Sequence, residues 1–455
     1  MAFLDQNYLL GNETAKRLYQ HVKDFPIVDV HNHANIKEIA ENKGWEDIWQ
    51  VAGATDHYVW ELMRRRGIEE EKITGKATNK EKWMALAKVF PDFAGNPTYE
   101  WIHLNLNRRL GIKQLISEST AKYIWEMAKV RLSEPDMKPQ RLLQDMNVEI
   151  MCTTNDPDED LTYHQQVQEE ISGVSIRPTW RPDKLMAIGK REWADIVRNF
   201  GEKMNIKIDD LEGFLAALQK SHDKFGEVGC VASDHAIQQP VSYFVKQDKV
   251  NRIYKKAINA EVLTDTDIKD FSAFMLIQLG KMNQASNWVI QLHIGAMRDY
   301  RSSIFKSLGP DSGGDVGNNN IEVVESLRYF FNQFDETLKV VCYYIDSSIL
   351  PSLATIARIF PNVNLAAPWW FNDSPYGMEG QLKYIATVDL LRNHLGMVTD
   401  SRKLMSYESR TEMFRRVLSN VLGDMTEKGQ IPEKIAFDLS ESICYYRALE
   451  YFFGK

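Results

Sequence analysis

The sequence has no long apolar run, few cysteines and no block of basic residues. None of its apolar runs approaches the roughly 18 residues that a membrane-spanning helix needs. The four cysteines lie far apart without a CxxC pair, which indicates reduced thiols in a cytoplasmic protein. The first residues also lack the basic and apolar regions of a secretory signal. Lys and Arg number 55 against 63 Asp and Glu, so neither a nucleic acid nor a membrane is an expected partner.

Phosphate-binding glycine motifs are missing too. No GxGxxG follows the first predicted strand and no GxxxxGK[ST] occurs, so dinucleotide binding and a P-loop have no support. The composition is that of an ordinary folded protein, with 44% hydrophobic and 26% charged residues. Length alone suggests about three domains, although α/β barrels often reach such lengths as one unit.

Short apolar runs rich in Val and Ile recur along the chain, and helix-patterned segments separate most of them. Strands that are buried on both faces of a parallel sheet have this composition. Eight such runs predict a (β/α)₈ barrel in the α/β class. The runs are PIVDVHNH from Pro26, NVEIMCTTNDP from Asn147, ISGVSIRPTW from Ile171, GCVASDHA from Gly229, WVIQLHIGAMR from Trp288, LKVVCYYIDSS from Leu338, NVNLAAPWW from Asn362 and GMVTDSR from Gly396.

The spacing is uneven after the first strand, where far more residues intervene than one crossover helix requires. We interpret residues 34–146 as a helical insertion subdomain and residues 1–33 and 147–455 as the barrel. Loops that follow barrel strands build the active-site face, so the insertion is expected to contribute to the site as a lid. The stretch SLGPDSGGDVGNNNIE from Ser307 is predicted to be a loop. It is not expected to bind phosphate, because no Lys follows a strand–loop–helix pattern there.

His31 and His33 end the first predicted strand. Side chains at i and i+2 of a strand lie on the same face, so both imidazoles can reach one divalent metal above the barrel mouth. Asp400 ends the eighth predicted strand, which is the neighbour of the first in a closed barrel, and can complete a His₂Asp site or act as a base. The alternatives are two unrelated surface histidines and an aspartate that caps the next helix.

Further polar side chains follow the other strands. His293 on the fifth strand is expected to bind metal or a substrate oxygen, and His235 on the fourth to bind substrate, with Asp234 orienting it. Guanidinium groups at a barrel mouth favour an anionic substrate, because they pair bidentately with a carboxylate or phosphate. Trp369 and Trp370 are expected to form an aromatic wall for the substrate. The arginines are Arg181, Arg298 and Arg402.

Taken together, the chain resembles the uronate isomerase (glucuronate isomerase) family of the amidohydrolase superfamily over essentially its whole length. The segments that carry the resemblance are VDVHNH, ATDHYVWELMRRRG, GNPTYEWIHLNL, TWRPDK, ASDHA, QLHIGAMR, PWWFND and GMVTDSR. The resemblance implies that His31, His33 and Asp400 hold the metal. It also implies that Tyr58 of the insertion reaches the active site and that Arg181 and Arg402 contact substrate.

This resemblance implies an aldose–ketose isomerase of hexuronate catabolism. The reactions would be D-glucuronate to D-fructuronate and D-galacturonate to D-tagaturonate, by proton transfer between C2 and C1 through an enediol. Asp400 and Tyr58 would handle protons, Arg181 and Arg402 would hold the carboxylate and hydroxyls, and His293 with the metal would hold or polarise oxygens. Which group removes the C2 proton stays open, since a phenol is a poor base at its ordinary pKa.

One divalent metal is expected, with Zn²⁺ as the first candidate. The fourth strand has no Lys for carboxylation and the sixth has no His, so a bridged two-metal site lacks its ligands. The alternative function is a mononuclear metal-dependent amidohydrolase that acts on an amide or ester, with Asp400 taking the proton of a metal-bound water. A third is a barrel that binds a sugar acid without converting it. The expected partner is a small hexuronate, and homo-oligomerisation is left open.

Overall fold

A computed structural model describes residues 3–367 and 369–455. Seven parallel strands form its central sheet, in the order in which these seven occur along the chain. These barrel strands are β1 (Ile27–Asn32), β2 (Val148–Asn155), β3 (Ser175–Trp180), β4 (Ala232–Ile237), β5 (Val289–Ile294), β8 (Val340–Tyr344) and β9 (Val363–Leu365). The short strands β6 (Ala296–Met297) and β7 (Val316–Gly317) form a separate antiparallel ladder.

Residues 395–401 take the eighth position and close the barrel, but they do not form the regular strand that the sequence predicts. Their backbone is hydrogen-bonded to the β9 side and to β1, where the Asp400 amide donates to the His31 carbonyl (3.2 Å). Left-handed backbone at Gly396 (φ +78°) and Asp400 (φ +47°) interrupts the extended geometry. The predicted (β/α)₈ barrel with a helical insertion after the first strand is confirmed.

Helices cover the outer face of the barrel. One helix precedes β1, seven lie between β1 and β2, and twelve follow β2 in the described residues. They are α1 (Glu13–Val22), α2 (Ile36–Glu41), α3 (Ile48–Ala52), α4 (His57–Arg65), α5 (Asn79–Val89), α6 (Pro97–Arg108), α7 (Ala121–Leu132), α8 (Pro139–Asp145), α9 (Thr162–Glu170), α10 (Asp183–Met186), α11 (Trp193–Met204), α12 (Leu211–Glu227), α13 (Gln247–Ile258), α14 (Asp265–Ser286), α15 (Ser302–Leu308), α16 (Val324–Gln333), α17 (Leu350–Ile359), α18 (Pro375–Val388), α19 (Ser406–Glu427) and α20 (Glu433–Glu441). The remaining helical segments are short 3₁₀ turns and two π-helical segments near the carboxyl end. None of the described helices is long and apolar enough to cross a bilayer.

Each strand turns alternate side chains towards the barrel interior. On β5, Ile290 and Leu292 pack against the helical layer, while Val289 lies among the interior apolar residues. The period of two therefore points His293 inwards. On β4 the same alternation points Asp234 inwards, which decides the layout of the site described below.

Helices α2–α8 pack around a core rich in tryptophan. Trp83 is fully buried, and its indole N–H donates to the Ala121 carbonyl (2.9 Å). This core continues into barrel residues such as Met151 and Leu404, so the insertion is packed firmly onto the barrel. The Asp56 side chain accepts from the Tyr58 amide (3.0 Å) and starts α4 at His57. The cap thereby places His57 and Tyr58 in the first turn of a helix above the barrel mouth.

Candidate active site

A cavity of about 60 Å³ lies at the carboxyl ends of the barrel strands, beneath the insertion. Active sites of (β/α)₈ barrels are built at this face. Seven residues that the sequence predicts for the site line the cavity directly. They are His33, Tyr58, Arg298, Trp369, Trp370, Asp400 and Arg402.

Three predicted metal ligands meet at this cavity, and we call them the open cluster: His31, His33 and Asp400. The Nε2 atoms of His31 and His33 lie 3.1 and 3.2 Å from Asp400 Oδ1. The Trp369 indole N–H donates to Asp400 Oδ2 (2.9 Å). Asp400 starts no helix, since α19 begins at Ser406, and its left-handed backbone turns the carboxylate into the mouth.

Electrostatics keep the open cluster's carboxylate ionised. Burial works to raise the pKa of Asp400, but hydrogen bonds from His31 and His33 outweigh it and hold that pKa well below its usual value. Burial lowers the pKa of His33 to about 4, so this imidazole is neutral at pH 7. For His33 and Asp400 these are the protonation states that metal ligation requires, a neutral imidazole and an ionised carboxylate. The pKa of His31 is raised instead, because Asp234 and Asp400 outweigh the effect of its burial.

A second group, the closed cluster, lies directly beneath and shares His31; it also contains Asp234 and His293. Asp234 Oδ1 lies 2.6 Å from His293 Nδ1, and Oδ2 lies 3.5 Å from His31 Nδ1. The ring of His293 stacks on Tyr343 at 4.3 Å between centroids. His31, Asp234 and His293 have side chains at most 1% exposed, so solvent does not reach this group.

Arg181 balances the charge of the closed cluster. Its Nη1 donates to Asp234 Oδ2 (3.0 Å) and its Nε donates to Asp183 (2.6 Å). Burial works to raise the pKa of Asp234, but the positive charge of Arg181, together with the interactions with His293 and His31, outweighs it and holds the pKa well below its usual value. Burial lowers the pKa of His293 to about 4. The guanidinium of Arg181 is therefore occupied by two protein carboxylates and does not line the cavity.

His235 does not reach the cavity. Its Nε2 lies 2.7 Å from Ser233 Oγ, and its ring faces a different cleft of about 790 Å³ between α10 and α14. The structure therefore does not bring His235, expected to contact substrate, to this cavity, because the strand period points Asp234 inwards and His235 outwards. Asp234, which the sequence suggested only as a partner of His235, is the inward residue of β4.

The donors of the open cluster fit a divalent metal. One nitrogen or oxygen from each of the three residues lies within 4.8 Å of the others, and the closed cluster meets the same criterion. Two imidazoles and a carboxylate, with the remaining position facing a cavity, form the ligand set of a catalytic zinc site. The Asp234 carboxylate beside His31 and the indole beside Asp400 are the outer partners that orient such ligands.

Tyr58 faces the open cluster from the insertion side of the cavity. Its hydroxyl donates to Asp373 Oδ1 (2.8 Å) and accepts from the Phe371 amide (3.0 Å). Arg410 donates to Asp373 Oδ2 (2.8 Å) and to the Thr399 carbonyl (3.1 Å). Burial and the Asp373 charge raise the pKa of Tyr58 well above 10, so the phenol holds its proton at neutral pH.

Two arginines at the cavity remain accessible. The guanidinium of Arg298 lies 4.6 Å from the Trp370 ring centroid and 3.2 Å from Asp315. Arg402 is 36% exposed in its side chain and lies 3.5 Å from Asp311. Each has a looser partner than Arg181, so these two arginines are better placed to receive an anionic substrate.

Sequence reasoning missed two buried residues that hold Tyr58 in place. Asp373 lies in the quoted segment PWWFND, where an acid beside three aromatic residues was a usable signal. Arg410 lies within α19 among residues of helical periodicity and carried no signal of its own. It is 5% exposed, and its guanidinium stacks 3.9 Å from the Trp101 ring. Only the tertiary structure brings α19, the insertion and residue 373 together.

Comparisons with known proteins identify the family of the chain. The glucuronate isomerase family matches residues 1–452. A uronate isomerase of Thermotoga maritima is 59% identical over 452 residues, covering 99% of this chain and all of that protein. A uronate isomerase of Caldicellulosiruptor saccharolyticus is 39% identical and covers 99% of each chain.

Solved structures show the same fold. The crystal structure of the Thermotoga maritima uronate isomerase superposes with a TM-score of 0.98 at 58% identity and full coverage of both chains. The glucuronate isomerase of Caulobacter crescentus superposes with a TM-score of 0.95 at 23% identity, covering 99% of this chain and 96% of that one. The second likeness supports the fold alone.

Proposed function

The chain belongs to the glucuronate isomerase family, and on that premise we propose how its barrel mouth isomerises a hexuronate. The activity is the interconversion of an aldose and a ketose, as in D-glucuronate with D-fructuronate and D-galacturonate with D-tagaturonate. The base must remove a proton from C2, a proton must arrive at C1, and the enediolate oxygens need donors. The hydrolase alternative is not favoured, because relatives over the full length of the chain are named isomerases.

One observation carries the assignment of residues. Two proton-handling groups, Asp400 and Tyr58, line a single cavity together with Arg298 and Arg402. An ionised carboxylate can accept a proton at pH 7, whereas a phenol with a raised pKa keeps its proton and can share it in a hydrogen bond. We therefore assign removal and return of the carbon-bound proton to Asp400.

Tyr58 then serves the sugar oxygens. Its proton can be shared with an enediolate oxygen, and the Asp373 carboxylate, which accepts a hydrogen bond from the hydroxyl, orients it and can receive its proton. Arg410 fixes Asp373 from behind and stabilises its negative charge. The insertion is thus part of the catalytic apparatus as well as the cover of the site.

The substrate carboxylate is assigned to Arg402 and Arg298, and the apolar faces of Trp369 and Trp370 to the sugar chain. The family resemblance places Arg181 at the substrate, but in our proposal Arg181 is a positioning residue. It holds Asp234, which contacts His31 and His293, and these two histidines orient the open cluster.

One divalent metal, Zn²⁺ by preference, is assigned to His31, His33 and Asp400. When bound, it would supply Lewis-acid polarisation of a substrate oxygen. Before the reaction, Asp400 is ionised and Tyr58 is protonated. We further propose that the enzyme works in the cytoplasm on a free hexuronate, since all four cysteines are unpaired and three are buried.

The test is an assay of the full-length chain with D-glucuronate and with D-galacturonate in D₂O. We expect a ketouronate product with deuterium at C1, and loss of turnover after prolonged chelation that restored Zn²⁺ reverses. Product formation that is insensitive to chelation would overturn the metal assignment but leave the isomerase function. No ketouronate from either sugar would overturn the function itself.

A further inference from the structure

A buried lysine joins the eighth position of the barrel to the insertion. Lys403 Nζ donates to Asp56 Oδ2 (2.5 Å) and to the Ala52 carbonyl (2.6 Å). Ala52 ends α3 and Asp56 caps α4, so one ammonium group contacts the end of one insertion helix and the start of the next. Lys403 and Asp56 both line the cavity, and the proposed function gives neither of them a role.

Asp56 uses its two carboxylate oxygens for different contacts. Oδ1 accepts from the Tyr58 amide (3.0 Å) at the start of α4, whereas Oδ2 accepts from the ammonium of Lys403. Burial works to raise the pKa of Asp56, but the charges of Lys403 and Arg410 outweigh it and lower that pKa. The carboxylate is therefore ionised at neutral pH, and it connects Lys403 to the backbone of Tyr58.

This contact is more rigid than an ion pair at the surface. The side chains of Lys403 and Asp56 are 8% and 9% exposed. Solvent screens a pair at that depth very little, and removal of one partner leaves the other charge buried without compensation. The lysine backbone is fixed as well, since its amide donates to Ser401 Oγ (3.1 Å) and its carbonyl accepts from Ser401 Oγ (3.0 Å). Movement of the start of α4 away from Lys403 would therefore break a buried ion pair.

The two segments that this pair joins carry the proton-handling groups of the proposed function. Asp400 lies three residues before Lys403, and Tyr58 lies two residues after Asp56. Asp373 holds the hydroxyl end of Tyr58 (2.8 Å), and the Lys403–Asp56 pair holds its backbone end. With both ends fixed, the phenol keeps one position relative to the Asp400 carboxylate. Placement of this kind has a large effect on the rate of a reaction step.

We propose that Lys403 is a positioning residue that acts through Tyr58. By way of Asp56, it fixes the start of α4 to the segment that carries Asp400, and so sets the distance between the two proton-handling groups. The inference rests on the proposed function, in which Tyr58 shares its proton with a substrate oxygen. A lysine that served only the stability of the fold would show no energetic coupling to the Tyr58 hydroxyl.

A double-mutant cycle on the full-length protein tests this coupling. Lys403→Met keeps most of the side-chain length and removes the charge, and we expect kcat for D-glucuronate to fall about tenfold with bound metal unchanged. Added to Tyr58→Phe, the same substitution should lower kcat by less than about twofold, because no hydroxyl remains to be misplaced.

Equal kinetic losses with and without the hydroxyl, or no loss in Lys403→Met alone, would overturn the positioning role and leave the proposed function intact. Unchanged kcat in Tyr58→Phe alone would overturn the role of Tyr58 in the proposed function, and with it the proposal that Lys403 acts through that residue.

Two further variants separate positioning from stability. Lys403→Met combined with Asp56→Asn leaves no unpaired charge, and Asn keeps the helix cap. The urea midpoint of this double variant should return most of the way to that of the wild type, whereas kcat should stay about tenfold low because the contact is still absent. Recovery of kcat together with stability would overturn the proposal. Lys249→Met is the matched control, at a lysine of α13 paired with buried Asp270 of α14, and it should leave kcat unchanged.

Discussion

The two clusters around His31 have similar donors but different surroundings. Each contributes a carboxylate and a second imidazole, and each brings three donor atoms within 4.8 Å of one another. In the open cluster the side chains of Asp400 and His33 are 19% and 25% exposed, whereas Asp234 and His293 of the closed cluster are at most 1% exposed.

The difference shows how a buried carboxylate can be stabilised in two ways. A charge that leaves water needs a partner, and Arg181 supplies a full positive charge to Asp234. Asp400 receives hydrogen bonds from imidazoles and an indole, and it faces a cavity. We therefore expect the closed cluster to be a structural support and the open cluster to hold the metal and the substrate.

The largest effect should come from the open cluster. Asp400→Asn removes the proposed base and one metal ligand, so kcat should fall by about 10³-fold or more. Bound metal should fall well below one per chain, while the thermal unfolding midpoint of the metal-free protein changes little. Turnover assays, metal analysis and calorimetry of the chelated protein check the three parts.

Full activity in Asp400→Asn would end the assignment, and a large loss of stability would make the open cluster a support like its neighbour. Asp346→Asn, at a carboxylate that caps the turn after β8, is a control for a generic loss of one acid. It should leave kcat and metal content unchanged.

The closed cluster should respond in the opposite sense. Asp234→Asn leaves the charge of Arg181 without its main buried partner, which costs about 3–5 kcal/mol of unfolding free energy. Metal content should stay near one per chain. Urea unfolding measures the loss. A metal content that falls to zero in Asp234→Asn but stays near one per chain in Asp400→Asn would show that the closed cluster is itself the ligand site.

Acid provides a check on the physical cause of that loss. The folded pKa of Asp234 lies well below its unfolded value near 3.9, so the charged carboxylate stabilises the fold above that pH. As the pH falls below about 3.9, the unfolded chain takes up a proton that folded Asp234 does not. The stability difference between wild type and Asp234→Asn should therefore be constant above pH 5 and shrink as the pH falls below 4.

Much of the barrel and the open cluster could be predicted from sequence. The apolar runs predicted the barrel strands. The spacing of His31 and His33, with Asp400 on a neighbouring strand, predicted that the three side chains meet at one metal site. His235 was expected at the cavity but lines another cleft, because a run of consecutive polar residues at a strand end does not reveal which one faces inwards. The arrangement around Asp234 depends on that choice, so the closed cluster could not be predicted.

The insertion side could be predicted only in part. Tyr58 came from the family resemblance, whereas its contacts with Asp373 and with the guanidinium of Arg410 join segments more than 300 residues apart. No local period specifies such contacts, since they depend on how the insertion packs on the barrel. The loop carrying Asp311 was predicted as a loop, but its position at Arg402 follows from hydrogen bonds to α4.

An intermediate effect should come from the tyrosine opposite the open cluster. Tyr58→Phe removes the proton donor and leaves Asp373 paired with Arg410, so kcat should fall about 10²-fold with metal content unchanged. Tyr343→Phe is the matched control. The Tyr343 ring stacks on His293 of the closed cluster, and its hydroxyl donates to Gln291 (2.8 Å). It should lose about 1–2 kcal/mol of stability and keep kcat within a few-fold. Equal kinetic losses in both variants would remove the distinction between the clusters.

The smallest effect should come from the indole beside Asp400. Trp369→Phe removes one hydrogen bond to a charged oxygen, which corresponds to about a tenfold fall in kcat if that bond orients the carboxylate during turnover. Trp180→Phe is the control, since its indole donates to Ser221 (2.9 Å) on the outer side of the barrel. It should lower stability without changing kcat. A kinetic loss confined to Trp369→Phe places catalysis at the open cluster, because both substitutions remove an indole N–H that donates to a side-chain oxygen.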